Sequence, residues 1–165
     1  MQLIKLTPED GLDVYDMLQG IDNIENSFTN PVQGMPFGQY KLWLIEQAQW
    51  EKGENLPDGY VRQSTFWLYD LGKPVGIGKI RHELTQMSRI SGGNIGYAIN
   101  RRYRGKGYGS QLLKMLIQEA HEMGIQEVLL TVDIGNVASK HICENNGAVM
   151  IASDSNRWYF QINER

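Results

Sequence analysis

Apolar and polar positions along the chain follow the two periods that mark helices and strands. Leu3-Ile4-Lys5-Leu6 has the pattern of an opening strand. Thr7-Pro8-Glu9-Asp10 then reads as a helix start, with Thr7 as N-cap, Pro8 at the first helical position and acids in the first turn. Leu12, Tyr15 and Leu18 continue at helical spacing. From Gly20 to Gly38 the chain is polar and punctuated by Pro31, Gly34 and Pro36, which predicts a long irregular segment of the kind that often carries function. A second helix is predicted over Gln39 to Glu51, with Tyr40, Trp43, Leu44, Gln47 and Ala48 on or near one face.

Ser64 to Leu71 is rich in aromatic and β-branched residues and predicts a strand. Gly72-Lys73-Pro74 turns it into another, Val75 to Ile80. A loop holding Arg89 to Gly93 precedes the short apolar strand Ile95 to Ile99. A glycine-rich turn follows, and then Leu112, Leu113, Leu116, Ile117 and Ala120 mark one face of a helix that Gly124 ends. Val128 to Val132 reads as a buried strand and Ala138 to Asn145 as a short helix. Val149 to Ile151 and Trp158 to Ile162 form a closing hairpin across Ser153 to Asn156. Hairpins make antiparallel pairs and the strand-helix-strand around Leu112 to Ala120 makes a parallel one. The expected fold is therefore a single α/β (α+β) domain over residues 1–165. Its sheet is mixed, mostly antiparallel and twisted, with a central parallel splay and about four flanking helices.

Composition narrows the classes of function. With 41% hydrophobic and 21% charged residues, a chain of 165 residues can bury a sizeable core. A formal net charge of −3 speaks against general nucleic-acid binding, which needs a basic face. The single cysteine, Cys143, rules out an intramolecular disulfide. No apolar run approaches the roughly 18 residues of a membrane span, and the N-terminus lacks a signal-peptide core. The expectation is a cytoplasmic protein that binds neither nucleic acid nor membrane.

Strand, glycine-rich turn and helix together make an anion site, because the first helical turn has N–H groups without partners and a favourable dipole. Here the turn is Arg104-Gly105-Lys106-Gly107-Tyr108-Gly109-Ser110, with Arg102, Arg104 and Lys106 adding positive charge. The glycine spacing fits neither the nucleotide P-loop nor the dinucleotide fingerprint. Arg104-x-x-Gly107-x-Gly109 between an apolar strand and an amphipathic helix resembles the signature of the GNAT superfamily of N-acetyltransferases. Arg102-x-x-Gly105-x-Gly107 matches too, but only the first register lets Gly109 open the helix. A second piece, Asn136-Val137-Ala138-Ser139 followed by Glu144-Asn145-Asn146-Gly147-Ala148, resembles the family's later helix, with Ala148 in place of the usual Phe. The resemblance extends to a bacterial branch of mostly predicted acetyltransferases.

That resemblance implies acetyl-CoA as cosubstrate and no metal. Amides of Gly105, Lys106, Gly107, Tyr108, Gly109 and Ser110 would bind the pyrophosphate beside Arg104. The backbone at Ala98 and Ile99 would pair with the pantetheine arm and polarise the thioester carbonyl. Asn136 and Ser139 would contact the cofactor from the other strand. An amine of a small molecule or peptide would attack directly, in a monomer or homodimer. A GNAT-like module that binds acyl-CoA with little or no turnover, and a nucleotide-binding regulator, are the competing readings.

Two usual catalytic groups are absent. The position where many members carry a Tyr acid holds Cys143, and the strand before the glycine turn starts with Gly92-Gly93-Asn94 rather than a glutamate. A cysteine has a pKa that suits protonation of a thiolate, although a buried cysteine is more often plain packing. Candidate bases are Glu83, His82 and Tyr97, against defaults of a solvated carboxylate and a packed aromatic ring. His141 reads as a surface residue. The acceptor pocket is expected from the Gly20 to Gly38 segment, the second helix and the Leu84 to Gly93 loop. Asp22, Glu25, Glu46 and Glu54 in or near those segments point to a cationic amine.

Overall fold

The computed structural model describes all residues from Met1 to Arg165. One antiparallel sheet contains β1 (Gln2–Lys5), β4 (Gln63–Asp70), β5 (Lys73–Arg81) and β6 (Ile95–Ile99), in the order β1-β4-β5-β6. A second contains β7 (Glu127–Asp133), β8 (Val149–Ser153) and β9 (Arg157–Asn163), in the order β7-β9-β8. Between them fall α1 (Leu12–Gln19), the two-residue strands β2 (Ile24–Glu25) and β3 (Phe28–Thr29), α2 (Phe37–Glu51), the short α3 (Gln86–Ile90), α4 (Tyr108–Glu122) and α5 (Val137–Asn145). The mixed α/β architecture matches the sequence expectation, with α3 as a fifth helix, but the expected parallel pair across α4 is absent: every ladder is antiparallel, and β6 and β7 splay apart in separate sheets.

The first sheet is covered on both faces, which is why Ser64 to Leu68 is buried without interruption. One face packs Trp67 and Ile77 against α1 and α2 through Val14, Leu18, Tyr40 and Leu44. The other packs Phe66, Leu68, Val75 and Ile80 against Leu112, Leu113, Leu116 and Ile117 of α4, and this core runs on into Val128, Leu130 and Phe160 of the second sheet. Each fully buried Leu or Ile contributes about 1.5–3 kcal/mol.

Two local readings are corrected. The first helix begins at Leu12, with Gly11 rather than Thr7 as its N-cap. The Asp10 carboxylate is engaged elsewhere: it accepts from the Thr7 N–H at 2.8 Å and from Trp67 Nε1 at 2.7 Å. Residues 7–10 thus form a turn that holds the buried indole. The Gly20 to Gly38 segment is not wholly irregular, because β2 and β3 form a small hairpin. Its turn residues, Asn26 and Ser27, both have positive φ (48° and 63°), as a type I′ turn needs. Buried Asn30 anchors this segment by donating to the Leu18 and Ile21 carbonyls at 2.9 and 2.8 Å.

β6 and β7 share no ladder. They are joined at the entry to β6, where Asn94 N–H donates to the Leu129 carbonyl, Asn94 Oδ1 accepts from Leu129 N–H and Gly92 N–H donates to Thr131 Oγ1, all at 2.8 Å. Asn94 Nδ2 also reaches the Arg81 carbonyl at 3.2 Å. Gly93 must be glycine here: its φ is +58°, and a Cβ would lie 2.4 Å from the Leu129 carbonyl oxygen. Beyond the junction the strands diverge, so that Ile99 and Asp133, at their far ends, line opposite sides of one cleft. At its far end β6 is held by buried Asn100, whose Nδ2 donates to the Met17 carbonyl at 2.7 Å.

Replacing Asn94 by Ala leaves the Leu129 N–H and the Arg81 carbonyl without these partners. The expected loss is about 1–3 kcal/mol of stability, read as a lower urea midpoint. A midpoint equal to that of the wild type would show that the junction is not holding the sheets.

Candidate active site

The cleft between the diverging strands has a volume of about 520 Å³. At one end lies the glycine-rich turn. Gly107 is the N-cap of α4 in the left-handed conformation (φ 82°), and nothing lies within 4 Å of where a Cβ would stand at Gly105 or Gly107. The backbone N–H groups of Gly105, Lys106, Gly107, Tyr108, Gly109 and Ser110 have no acceptor within the chain; the first α4 amide to bond is that of Gln111, to Gly107 O at 3.2 Å. A run of exposed donors at a helix N-terminus can cradle a phosphate or pyrophosphate.

The basic residues around the turn are not equally free. Arg104 is committed: its guanidinium pairs with both Glu25 oxygens at 2.9 and 2.8 Å and donates through Nε to the Ile99 carbonyl at 2.9 Å. Arg101 is paired with Asp22. Arg102 and Lys106 have no carboxylate partner, and both are exposed. Lys106 does not line the cleft.

On either side of β6, Asn94 O accepts from Arg81 N–H and Asn100 N–H donates to the Val75 carbonyl of β5. Antiparallel alternation then assigns Gly96 and Ala98 to the β5 ladder and turns the main-chain groups of Tyr97 and Ile99 toward β7. Ala98 lines the cleft through its side chain, while its main-chain groups are taken by β5. The Tyr97 phenol lies in the cleft with its hydroxyl 2.9 Å from Ser139 Oγ, and burial pushes its pKa well above the usual tyrosine range. Asn136 caps α5, its Oδ1 accepting from Ser139 N–H at 3.3 Å. The structure brings Tyr97, Ala98, Asn136 and Ser139 to one cleft, with the Ala98 main chain turned to β5 rather than into it.

Two candidates do not join them. Glu83 lies beyond the end of β5, in a separate cavity with His82, Arg89 and Tyr159, and is paired with Arg62. Cys143 is 1% exposed and packs in the core; burial pushes its thiol up to about 12, with Ser139 opposing. Glu46 and Glu54 do not line the cleft either.

The sequence reading missed several contributors. Asn146 donates to Ser110 O at 3.3 Å and to Ser110 Oγ at 3.2 Å, tying the end of α5 to the start of α4. Lys79 and Arg81 of β5 line the cleft opposite the glycine turn. Their signal was present as polar residues at alternate positions in a strand that is otherwise buried from Pro74 onward. No group of three or more His, Cys, Asp and Glu is placed to hold a metal ion, and no helix is long and apolar enough to cross a membrane.

A model of the acetyltransferase (GNAT) family matches residues 19–148. The chain belongs to the acetyltransferase (GNAT) family. Among solved structures, RimL, a ribosomal L7/L12 alpha-N-protein acetyltransferase in complex with coenzyme A, is similar at a TM-score of 0.71 and 11% identity, over 98% of this chain and 92% of that one. The N-acetyltransferase PseH of Campylobacter jejuni in complex with acetyl coenzyme A gives 0.66 and 13%, over 99% of each chain. A GNAT-family acetyltransferase of Streptococcus pneumoniae gives 0.64 and 20%, also over 99% of each. At these identities the likeness is one of fold. A search of the curated proteins finds no match. The open cleft of this GNAT chain is thus the splay between two strands.

Burial, and then Arg81, lower Lys79 from its ordinary 10.5 to about 8. Between those values the folded chain binds fewer protons at Lys79 than the unfolded chain, so this residue makes stability rise with pH across that window. In Lys79→Met the slope is absent. Thermal melts of both forms should show the variant's stability relative to wild type falling as pH rises from about 8 to 10.5, whatever the constant offset. Parallel curves would contradict the shift.

Proposed function

We propose that the chain is an N-acetyltransferase that moves the acetyl group of acetyl-CoA to a primary amine of a small molecule or peptide. The observation that carries the reading is the run of unpaired amides from Gly105 to Ser110, opening on the same cleft as the Tyr97 and Ile99 N–H groups of β6.

The donor would lie along that edge. Gly105 to Ser110 would hold its pyrophosphate, with Arg102 and Lys106 free to add charge from solvent. The N–H groups of Tyr97 and Ile99 face the cleft and are placed to pair with the pantetheine arm and the thioester oxygen, where negative charge grows. Asn136 and Ser139 close the cleft from β7 and α5. Bound acetyl-CoA supplies the activated thioester, which a neutral amine attacks directly.

Tyr97 is the group best placed to protonate the departing thiolate. It comes from the strand facing α5, yet its hydroxyl meets Ser139, next to the site where Cys143 replaces the expected tyrosine. Burial keeps the phenol protonated, and Ser139 can relay a replacement proton. Cys143 is out of the cleft and holds its own proton, which agrees with direct transfer and no acyl-enzyme. Neither cleft carboxylate is free to act as base. Glu25 is held by Arg104; Asp133 accepts from Ser27 at 2.7 Å and lies 3.3 Å from Arg157 Nε. The amine proton would therefore leave to water.

Thiol release from acetyl-CoA with a panel of amines tests the reading. Acetyl-CoA binding without release on any amine would favour a binding module instead. In Tyr97→Phe we expect kcat to fall about 10²-fold with the coenzyme A Kd changed little, whereas Cys143→Ala should keep its kcat if it folds. An unchanged kcat in Tyr97→Phe would remove the tyrosine from the proton path.

A further inference from the structure

Five charged side chains line the cleft: Glu25, Lys79, Arg81, Arg104 and Asp133. Three of them are already neutralised. Glu25 and Arg104 pair with one another, and Asp133 pairs with Arg157. Lys79 and Arg81 have no carboxylate within 4 Å. The acids that suggested a cationic acceptor are therefore spent or elsewhere, and the unbalanced charge in the cleft is positive.

These two cations are held in place. Lys79 Nζ donates to the Thr29 carbonyl at 2.9 Å and lies 4.9 Å from the centre of the Phe28 ring. Arg81 Nη1 donates to the Gly93 carbonyl at 3.1 Å. Each keeps donors unspent, since an ammonium has three and a guanidinium five. Two residues apart on one strand, they stand on the same face about 7 Å from each other. That face is the one Ile77 shows to α1 and α2. Holding two like charges close and half-buried costs free energy, and an anion between them would offset it. Arg81 already disfavours the charged form of Lys79.

Their position separates them from the donor's phosphates. Lys79 is paired with Gly96, at the start of β6, whereas the phosphate-binding turn follows Ile99 at its other end. Gly96 immediately precedes Tyr97, whose N–H faces the cleft. The cations thus flank the reacting end, on the side open to the acceptor.

We propose that Lys79 and Arg81 bind a carboxylate of the acceptor, so that the substrate is an amine that also carries a carboxylate, either a free amino acid or a peptide. The amine half of this statement rests on the acetyl-transfer reading; the carboxylate half rests on the charges alone. A carboxylate anchored here would place the amine of the same molecule toward the β6 edge, with Phe28 and Thr29 of the hairpin as the adjoining wall.

The test compares amino acids and dipeptides with their carboxamides and with the decarboxylated amines. Two readouts are used, thiol release from acetyl-CoA and calorimetric binding of the same compounds to the coenzyme A-loaded protein. Acids should exceed carboxamides by about tenfold or more in kcat/KM or Kd, with the better of the amino acid and dipeptide arms naming the source. That preference should disappear in Lys79→Met and Arg81→Gln, and persist in Lys79→Arg. Coenzyme A affinity, unchanged in all three, reports that the variants fold and that the cations do not serve the donor. Carboxamides or decarboxylated amines that do as well as the acids would overturn the inference. So would an acid preference that survives both substitutions. If no amine releases thiol, the transfer reading fails on its own, and the calorimetric comparison still decides whether the cleft selects a carboxylate.

Discussion

The molecule depends on a junction that is tight at one point and open everywhere else. At Asn94 a side-chain amide and its own backbone bridge Leu129 on one side and Arg81 on the other. A continuous ladder between β6 and β7 would have satisfied more backbone groups, but it would have closed the cleft. A buried asparagine, helped by the Gly92 N–H on Thr131, supplies donors and acceptors enough to satisfy the junction over a few residues, and then the strands part. Gly93 permits the approach, and Asn100 draws the far end of β6 toward α1. Edge N–H groups that a sheet would normally pair are thereby left open to the cleft.

The hairpin of β2 and β3 is the second element on which the cleft relies. It touches the cleft walls at three places: Glu25 on Arg104, Ser27 on Asp133, and the Thr29 carbonyl on Lys79. These bonds reach α4's leading turn, β7 and β5. Individually, exposed polar contacts of this sort contribute little. Together they fix the position of a loop that has few buried apolar contacts of its own.

Much of this was legible in the sequence because long elements carry their own period. The α4 face from Leu112 to Ala120, the strand Ile95 to Ile99 and the glycine turn were placed correctly from spacing. The failures were of two kinds: a local pattern overruled by a partner far along the chain, and a short element that leaves no local signal. Thr7 to Asp10 has every mark of a helix start, but Asp10 is recruited by Trp67, 57 residues away. Asn26-Ser27 lacks the glycine that announces a tight hairpin, and a two-residue strand has no period to detect. The charge of Glu25 was visible, whereas its neutralisation by Arg104, 79 positions later, was not. Lys79 and Arg81 carry only strand polarity in the sequence, and the pairing of β5 shows which face they occupy.

The glycine turn presents main-chain N–H groups, and every residue type except proline has one. Exchanging the side chains of Lys106, Tyr108 or Ser110 therefore leaves the donors themselves in position. The Lys79 and Arg81 end is made of side chains and has no such protection. Apart from its glycines, the turn end of the cleft is indifferent to side-chain exchange and the far end responds to each one, so sequence drift in this chain would retune the Lys79 end long before it altered the donors at the turn.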